Sequence, residues 1–217
     1  MKRLATQQML NDELVSIHAL LLQMRADRAG HPVCVLPASW YTMLVGKNAR
    51  SQGPYGAARI LVGFWGREVR APLANASAAD VATCNVEVWG GQRLVLVPIK
   101  EEGSAQWLMT VVDVANRRFS FYNSFSPHDS QRKQERTQKV QNDIMGYFRE
   151  HVPHLGAAPW TSQIVQCPLQ RGTTDCGVFV LHFLRCVAEG RAPYMEQAGV
   201  NDMRVRLVLE INNLMVL

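Results

Sequence analysis

No stretch of this 217-residue chain approaches the ~18 consecutive apolar residues that a membrane-spanning helix needs, so no membrane association is expected. The opening residues Met1 to Gln8 are polar and lack an apolar h-region, so no secretory leader is expected either. There is no CxxC pair, and the five cysteines (Cys34, Cys84, Cys167, Cys176 and Cys186) are an odd number. Neither a zinc site nor a disulfide framework is therefore expected, and a reducing intracellular compartment, nuclear or cytoplasmic, fits best. Long blocks of like charge, low-complexity tracts and internal repeats are lacking too, which argues against a disordered or repetitive chain. The net charge of +5 leans slightly towards acidic partners but makes no case for nucleic acid.

What is present is a hydrophobic content of 47%, enough to bury a core, and residues 1–217 are expected to form a single domain. Asn11 or Asp12 is placed to cap a first helix with Leu14, Ile17, Leu21 and Leu22 on one face, ending near Ala29-Gly30. Residues 31–80 are broken by Pro37, Gly53-Pro54, Gly63, Gly66 and Pro72, while Trp40, Tyr41, Phe64 and Trp65 imply that the pieces pack inward. Asn75-Ala76-Ser77 matches a glycosylation sequon, whose use the missing leader argues against. Leu94–Pro98, Trp107–Val114 and Arg118–Asn123 read as strands, the last two joined by the turn-like Ala115-Asn116-Arg117. Gln131–Glu150 reads as an amphipathic helix, with Val140, Ile144, Met145 and Phe148 on its apolar side. Its basic residues Arg132, Lys133, Arg136 and Lys139 read first as a solvated face, and second as a surface for an acidic partner. Ile164–Cys167 reads as a short strand, and Cys176–Val187, apolar nearly all round, as a buried helix. A final helix, capped by Asn201 or Asp202, is expected to carry Val205, Leu209 and Ile211 inward. Helical ends around a strand-rich centre define an α+β domain.

The chemistry concentrates in Gln170-Arg171-Gly172-Thr173-Thr174-Asp175-Cys176-Gly177-Val178. A cysteine that opens a helix sits among backbone N–H groups that favour the thiolate and can donate to an oxyanion. Gly177 permits a close backbone approach, and Gln170, six residues before the thiol, is a candidate amide donor to a developing oxyanion. For an arbitrary cysteine, simple burial would be the commoner explanation.

Gln-x5-Cys-Gly, with Asp before the Cys and an apolar helix after it, resembles the Ulp/SENP family of ubiquitin-like-modifier proteases. The resemblance continues in chain order. Leu10-Asn11-Asp12-Glu13-Leu14 is similar to the family's Trp-Leu-Asn-Asp-Glu entry into its first helix, and Val95-Leu96-Val97-Pro98-Ile99 to its strand ending in Pro-Ile or Pro-Val. Gln106-Trp107-Leu108 stands where the family has His-Trp, and Phe121-Tyr122-Asn123-Ser124-Phe125 where it has Tyr-Asp-Ser-Leu. The resemblance implies a papain-like cysteine peptidase fold of the Ulp/adenain type: a central mixed sheet flanked by helices, with the nucleophile at the N-terminus of a buried helix. It also implies roles. Cys176 is the nucleophile, Gln170 the oxyanion donor, Gln106 the general-base position and Asn123 the position that orients the base. Trp107 and Met9, with Gly177, line the channel for the modifier's C-terminal Gly-Gly, Met9 standing in for the entry Trp. No cofactor or metal is implied, and the partner is a ubiquitin-like modifier of SUMO type or another protein.

Two of those positions depart from the family. Asn at 123 is tolerable, since an amide carbonyl can still accept from an imidazole N–H. Gln at 106 is not, because a carboxamide has no useful proton affinity near neutral pH. General acid–base help is worth about 10²–10⁴-fold, although a thiol keeps a few per cent of thiolate at pH 7. The favoured reading is accordingly a pseudoprotease that binds a modifier. The alternative is an active isopeptidase with an unconventional base, for which His128, five residues past Asn123, is the candidate among His18, His31, His128, His151, His154 and His182. An acyltransferase built on a similar fold ranks below both, since it needs the same base.

Overall fold

The computed structural model describes residues 8–45, 89–90, 94–101, 106–125 and 130–214. Cys84, His128, Phe64, Trp65 and the Asn75 sequon lie outside the described residues.

The first helix, α1 (Asp12–Ala29), starts where the Asn11 side chain accepts from the Leu14 N–H. It stops at Gly30, whose φ of 67° lets the chain turn back so that its N–H reaches the last carbonyls. Two elements follow that the apolar periodicity did not announce, the three-residue strand β1 (Val33–Val35) and the short helix α2 (Ala38–Val45). Trp40 and Tyr41 on α2 are buried, as the sequence implied. Next come β2 (Leu94–Lys100), β3 (Trp107–Asp113) and β4 (Arg118–Tyr122), then the long helix α3 (Ser130–His151) and a single turn, α4 (Pro153–Gly156). β5 (Thr161–Ile164), α5 (Cys176–Ala188), a 3-10 turn at Gln197–Gly199 and α6 (Val200–Leu214) complete the described chain.

The five strands form one mixed sheet in the order β1-β2-β3-β4-β5, with antiparallel pairs at its centre and a parallel pair at each edge. Alternation along the strands divides two apolar layers. Leu96, Trp107, Met109 and Val111 pack on one face with α1, α5 and α6. Val95, Val97, Ile99, Leu108, Val112, Phe119 and Phe121 pack on the other with α2 and α3, where Trp40, Tyr147 and Phe148 supply the bulk. Burial of α5 on nearly every side explains its near-continuous apolar sequence.

Three local expectations are corrected. The last strand lies at Thr161–Ile164, not Ile164–Cys167. It is an exposed edge strand paired with β4 whose residues are polar except Ile164, so no apolar run marks it. The last helix begins at Val200 and faces inward with Met203, Leu207 and Ile211. Val205 and Leu209 point outward at 59% and 56% exposure. On α1, Ile17 is similarly outside, and His18 takes the buried position. A one-residue change of phase accounts for that exchange, because successive helical residues are 100° apart.

Candidate active site

Cys176 is the first residue of α5 and has no exposed surface. Burial pushes its thiol above the ordinary range; backbone N–H groups of Trp107, Gly177 and Cys176 itself pull the other way, and the Asp175 carboxylate adds to the rise. This balance also locates the sulfur. It lies at the helix N-terminus and against the start of β3, which Gln106 immediately precedes. Gln106 is half-buried, its carbonyl accepting from the Glu101 N–H at 3.0 Å. No imidazole is among the groups acting on the sulfur within the described residues. The described histidines are committed elsewhere or lie at the surface. His31 Nδ1 is 3.1 Å from the Ala188 carbonyl and His182 Nε2 is 2.8 Å from that of Tyr194. A carbonyl only accepts, so both nitrogens carry the proton. His18 is buried beside Glu210, His151 lies next to Glu150, and His154 is exposed.

Gln170 is held from both ends of its amide. Its Oε1 accepts from the Ser124 hydroxyl at 2.7 Å, and its Nε2 donates to the Gly172 carbonyl at 2.6 Å. Its backbone N–H donates to the Ser124 carbonyl at 2.8 Å. Ser124, buried completely, joins Gln170 in this network, a part that the sequence resemblance does not assign to it. Its place one residue past Asn123 is the signal the sequence offers. Asn123 itself folds into its own turn, Oδ1 accepting from the Phe125 N–H at 2.9 Å, while its carbonyl accepts from the Cys167 thiol at 3.5 Å. The side-chain carbonyl of Asn123 is thus engaged in local turn geometry of the kind Asn favours.

Trp107 and Gly177, expected at a channel, both lie against Leu10, next to Met9. Trp107 is buried, and its indole N–H donates to the Leu10 carbonyl at 3.0 Å. Met9 packs at the border of the same apolar layer. Lys100 lies 5.8 Å from the Trp107 ring centre and 2.6 Å from Asp12, tying the strand edge to α1. Gly177 is needed for a close approach, and the neighbour is Leu10: a Cβ at 177 would lie 2.9 Å from Leu10 Cβ. The chain before the thiol is fixed as well. Asp175 makes no side-chain cap for α5; its oxygens take Arg204 and Gln197 at 2.9 Å each.

A model of the Ulp1 protease family, C-terminal catalytic domain, matches residues 91–217. The chain is 28% identical over 119 residues to human Sentrin-specific protease 5, covering 54% of this chain and 15% of the relative. It is 26% identical over 124 residues to a Sentrin-specific protease of Caenorhabditis elegans, covering 54% and 16%. The chain therefore spans about a seventh of the length of these curated relatives. Among solved structures, the SUMO protease Ulp1 with its catalytic cysteine oxidised to a sulfenic acid superposes with a TM-score of 0.69 at 15% identity, over 98% of this chain and 81% of that one. The Ulp1 protease domain in complex with Smt3, the yeast ortholog of SUMO, gives 0.66 at 16% identity, over 97% and 79%. The Chlamydia trachomatis effector Cdu1 bound to ubiquitin gives 0.53 at 12% identity, over 97% and 96%. At these identities the superpositions establish the fold.

Proposed function

The chain belongs to the Ulp1 protease family, and we propose that it is a catalytically impaired member that binds a ubiquitin-like modifier. The carrying observation is that the residue just before Trp107, whose backbone N–H acts on the Cys176 sulfur, is Gln106, and no imidazole among the described residues acts on that sulfur. Burial holds the thiol high, and a carboxamide at position 106 neither takes the thiol proton nor supplies one to a leaving amine near neutral pH. Binding is a separate property. Trp107, Met9 and the Leu10 backbone, which would line a channel for an extended Gly-Gly tail, need no base to do so. Ulp1 bound to Smt3 and Cdu1 bound to ubiquitin support a modifier as the partner class.

The test separates the two properties. SUMO and ubiquitin with unmodified C-termini are titrated against the chain by calorimetry, and the same modifiers carrying a C-terminal vinyl sulfone are incubated with it. Saturable binding of one of them with slow, incomplete labelling is expected. Rapid, complete labelling at Cys176 overturns the impairment, and the absence of binding by both overturns the partner class. One observation favours a residual activity: three backbone N–H groups favour the Cys176 thiolate. In that reading His128 supplies the base, and His128→Ala abolishes cleavage of a modifier reporter; unchanged cleavage excludes it.

A further inference from the structure

Arg204, in the first turns of α6, is 3% exposed. A guanidinium presents five donors in a fixed fork, and burying it is costly unless acceptors meet them. Here Nη1 donates to the Gln8 carbonyl at 3.0 Å, and Nη2 to the Asp175 carboxylate at 2.9 Å and the Thr174 carbonyl at 3.3 Å. The acceptors come from two segments far apart in sequence, and both belong to the candidate site. Thr174 and Asp175 lead directly into Cys176. Gln8 leads into Met9 and Leu10, whose carbonyl takes the Trp107 indole N–H and whose side chain fills the space over Gly177. The segment Gln8–Leu10 is thus held at its start by Arg204 and at its end by Trp107. The Asp175 carboxylate, which disfavours the thiolate next to it, is drawn off by Arg204 and Gln197 instead of capping α5.

We propose that Arg204 is a positioning residue that joins the nucleophile turn Thr174–Cys176 to the channel segment Gln8–Leu10 and shields Cys176 from the Asp175 charge. The inference rests on the reading of Cys176 and the Met9–Trp107 surface as nucleophile and channel. Lysine retains the charge but lacks the fork, so it can serve Asp175 without also holding Gln8 and Thr174. Methionine keeps the apolar length and removes the charge. The two substitutions therefore separate shielding from positioning.

Two readouts on the full chain decide it. Ionisation of Cys176 is followed by thiolate absorbance as the difference from Cys176→Ser, and modifier affinity by calorimetry with SUMO and ubiquitin. Arg204→Met is expected to move the ionisation to higher pH, and Arg204→Met combined with Asp175→Asn to return it to the wild-type position or below. Arg204→Lys is expected to leave the ionisation in place while weakening modifier binding roughly three- to tenfold, the loss from ordering one or two side chains on binding. Coincident titrations of wild type and a folded Arg204→Met protein overturn the shielding, and wild-type affinity in Arg204→Lys overturns the positioning. If Arg204→Met does not fold, Arg204→Gln, which removes the charge and keeps hydrogen-bond donors, carries the charge test: a rise in the ionisation pH supports it and no change overturns it. If the wild-type chain binds neither modifier, the functional reading falls, and the titrations still decide the role of Arg204.

Discussion

Replacing Gln106 by His tests whether the lack of an imidazole at that position is what limits this site. The backbone N–H of Trp107 acts on the Cys176 sulfur, so a side chain at 106 starts one residue from a group already in contact with it. An imidazole there can take the thiol proton, and the resulting imidazolium favours the thiolate, opposing the burial that now holds it protonated. General-base help is worth about 10²–10⁴-fold, or about 3–5 kcal/mol of barrier. The lower end is expected for Gln106→His alone, because Asn123 Oδ1 is already taken by the Phe125 N–H and is not free to orient a ring. Gln106→His with Asn123→Asp should approach the upper end, since loss of the orienting carboxylate costs about 10⁴ in the serine template. The assay is kcat/KM on SUMO and ubiquitin carrying a C-terminal fluorogenic amide. Alkylation of Cys176 by iodoacetamide is followed alongside as a function of pH. In wild type its rate should climb only at high pH; in Gln106→His a plateau should emerge near neutral pH. A folded, modifier-binding Gln106→His protein that is no faster than wild type in either assay refutes the reasoning.

Other outcomes follow from packing and burial. His18 is buried, and desolvation, with Arg185 and Arg25 nearby, lowers its pKa to about 3; the Glu210 carboxylate 3.7 Å away is shared with those two arginines and does not reverse this. The unfolded chain then binds a proton below pH ~6.5 that the folded chain refuses, so stability is full above that pH and falls as pH drops towards about 3. About 2 kcal/mol should disappear between pH 7 and 5 in urea unfolding, and His18→Leu should remove that slope; parallel curves for the two proteins would contradict it. Gly177→Ala places a methyl 2.9 Å from Leu10 Cβ and should cost about 1–3 kcal/mol by thermal unfolding, with slower vinyl-sulfone labelling. Leu207→Ala should cost about 2–5 kcal/mol and Leu209→Ala under about 0.5, because the first has no exposed surface and the second is 56% exposed. Equal losses would mean that α6 faces the core in a different phase.

The central strands, α1, α3 and α5 are legible because each carries apolar residues enough to fill the face or faces it buries. Asn11 and Gly30 bracket α1 by local chemistry alone. The elements that escaped are those whose identity depends on what they meet. β5 is Thr-Ser-Gln-Ile, with no apolar alternation, and becomes a strand because β4 offers it a row of hydrogen bonds. In α6, Met203, Val205, Leu207, Val208 and Leu209 are spread around the helix and so fit more than one helical phase, and contact with α5 chooses Met203, Leu207 and Ile211.

The site divides on the same principle. A nucleophile at a helix N-terminus needs only consecutive residues, so Asp175-Cys176-Gly177 announced it. Arg204 and Ser124 act through side chains that meet other segments, and only the place of Ser124 one residue past Asn123 marks either of them in the sequence. Arg204 is one of several arginines until the fold carries it to Asp175, Thr174 and Gln8. Ser124 is one of several serines until Gln170 reaches it. These contacts hold the loop before Cys176, the start of α5 and the segment Gln8–Leu10, and they require no proton transfer. They do not depend on which residue stands at 106, so modifier binding and the reactivity of Cys176 have to be measured separately.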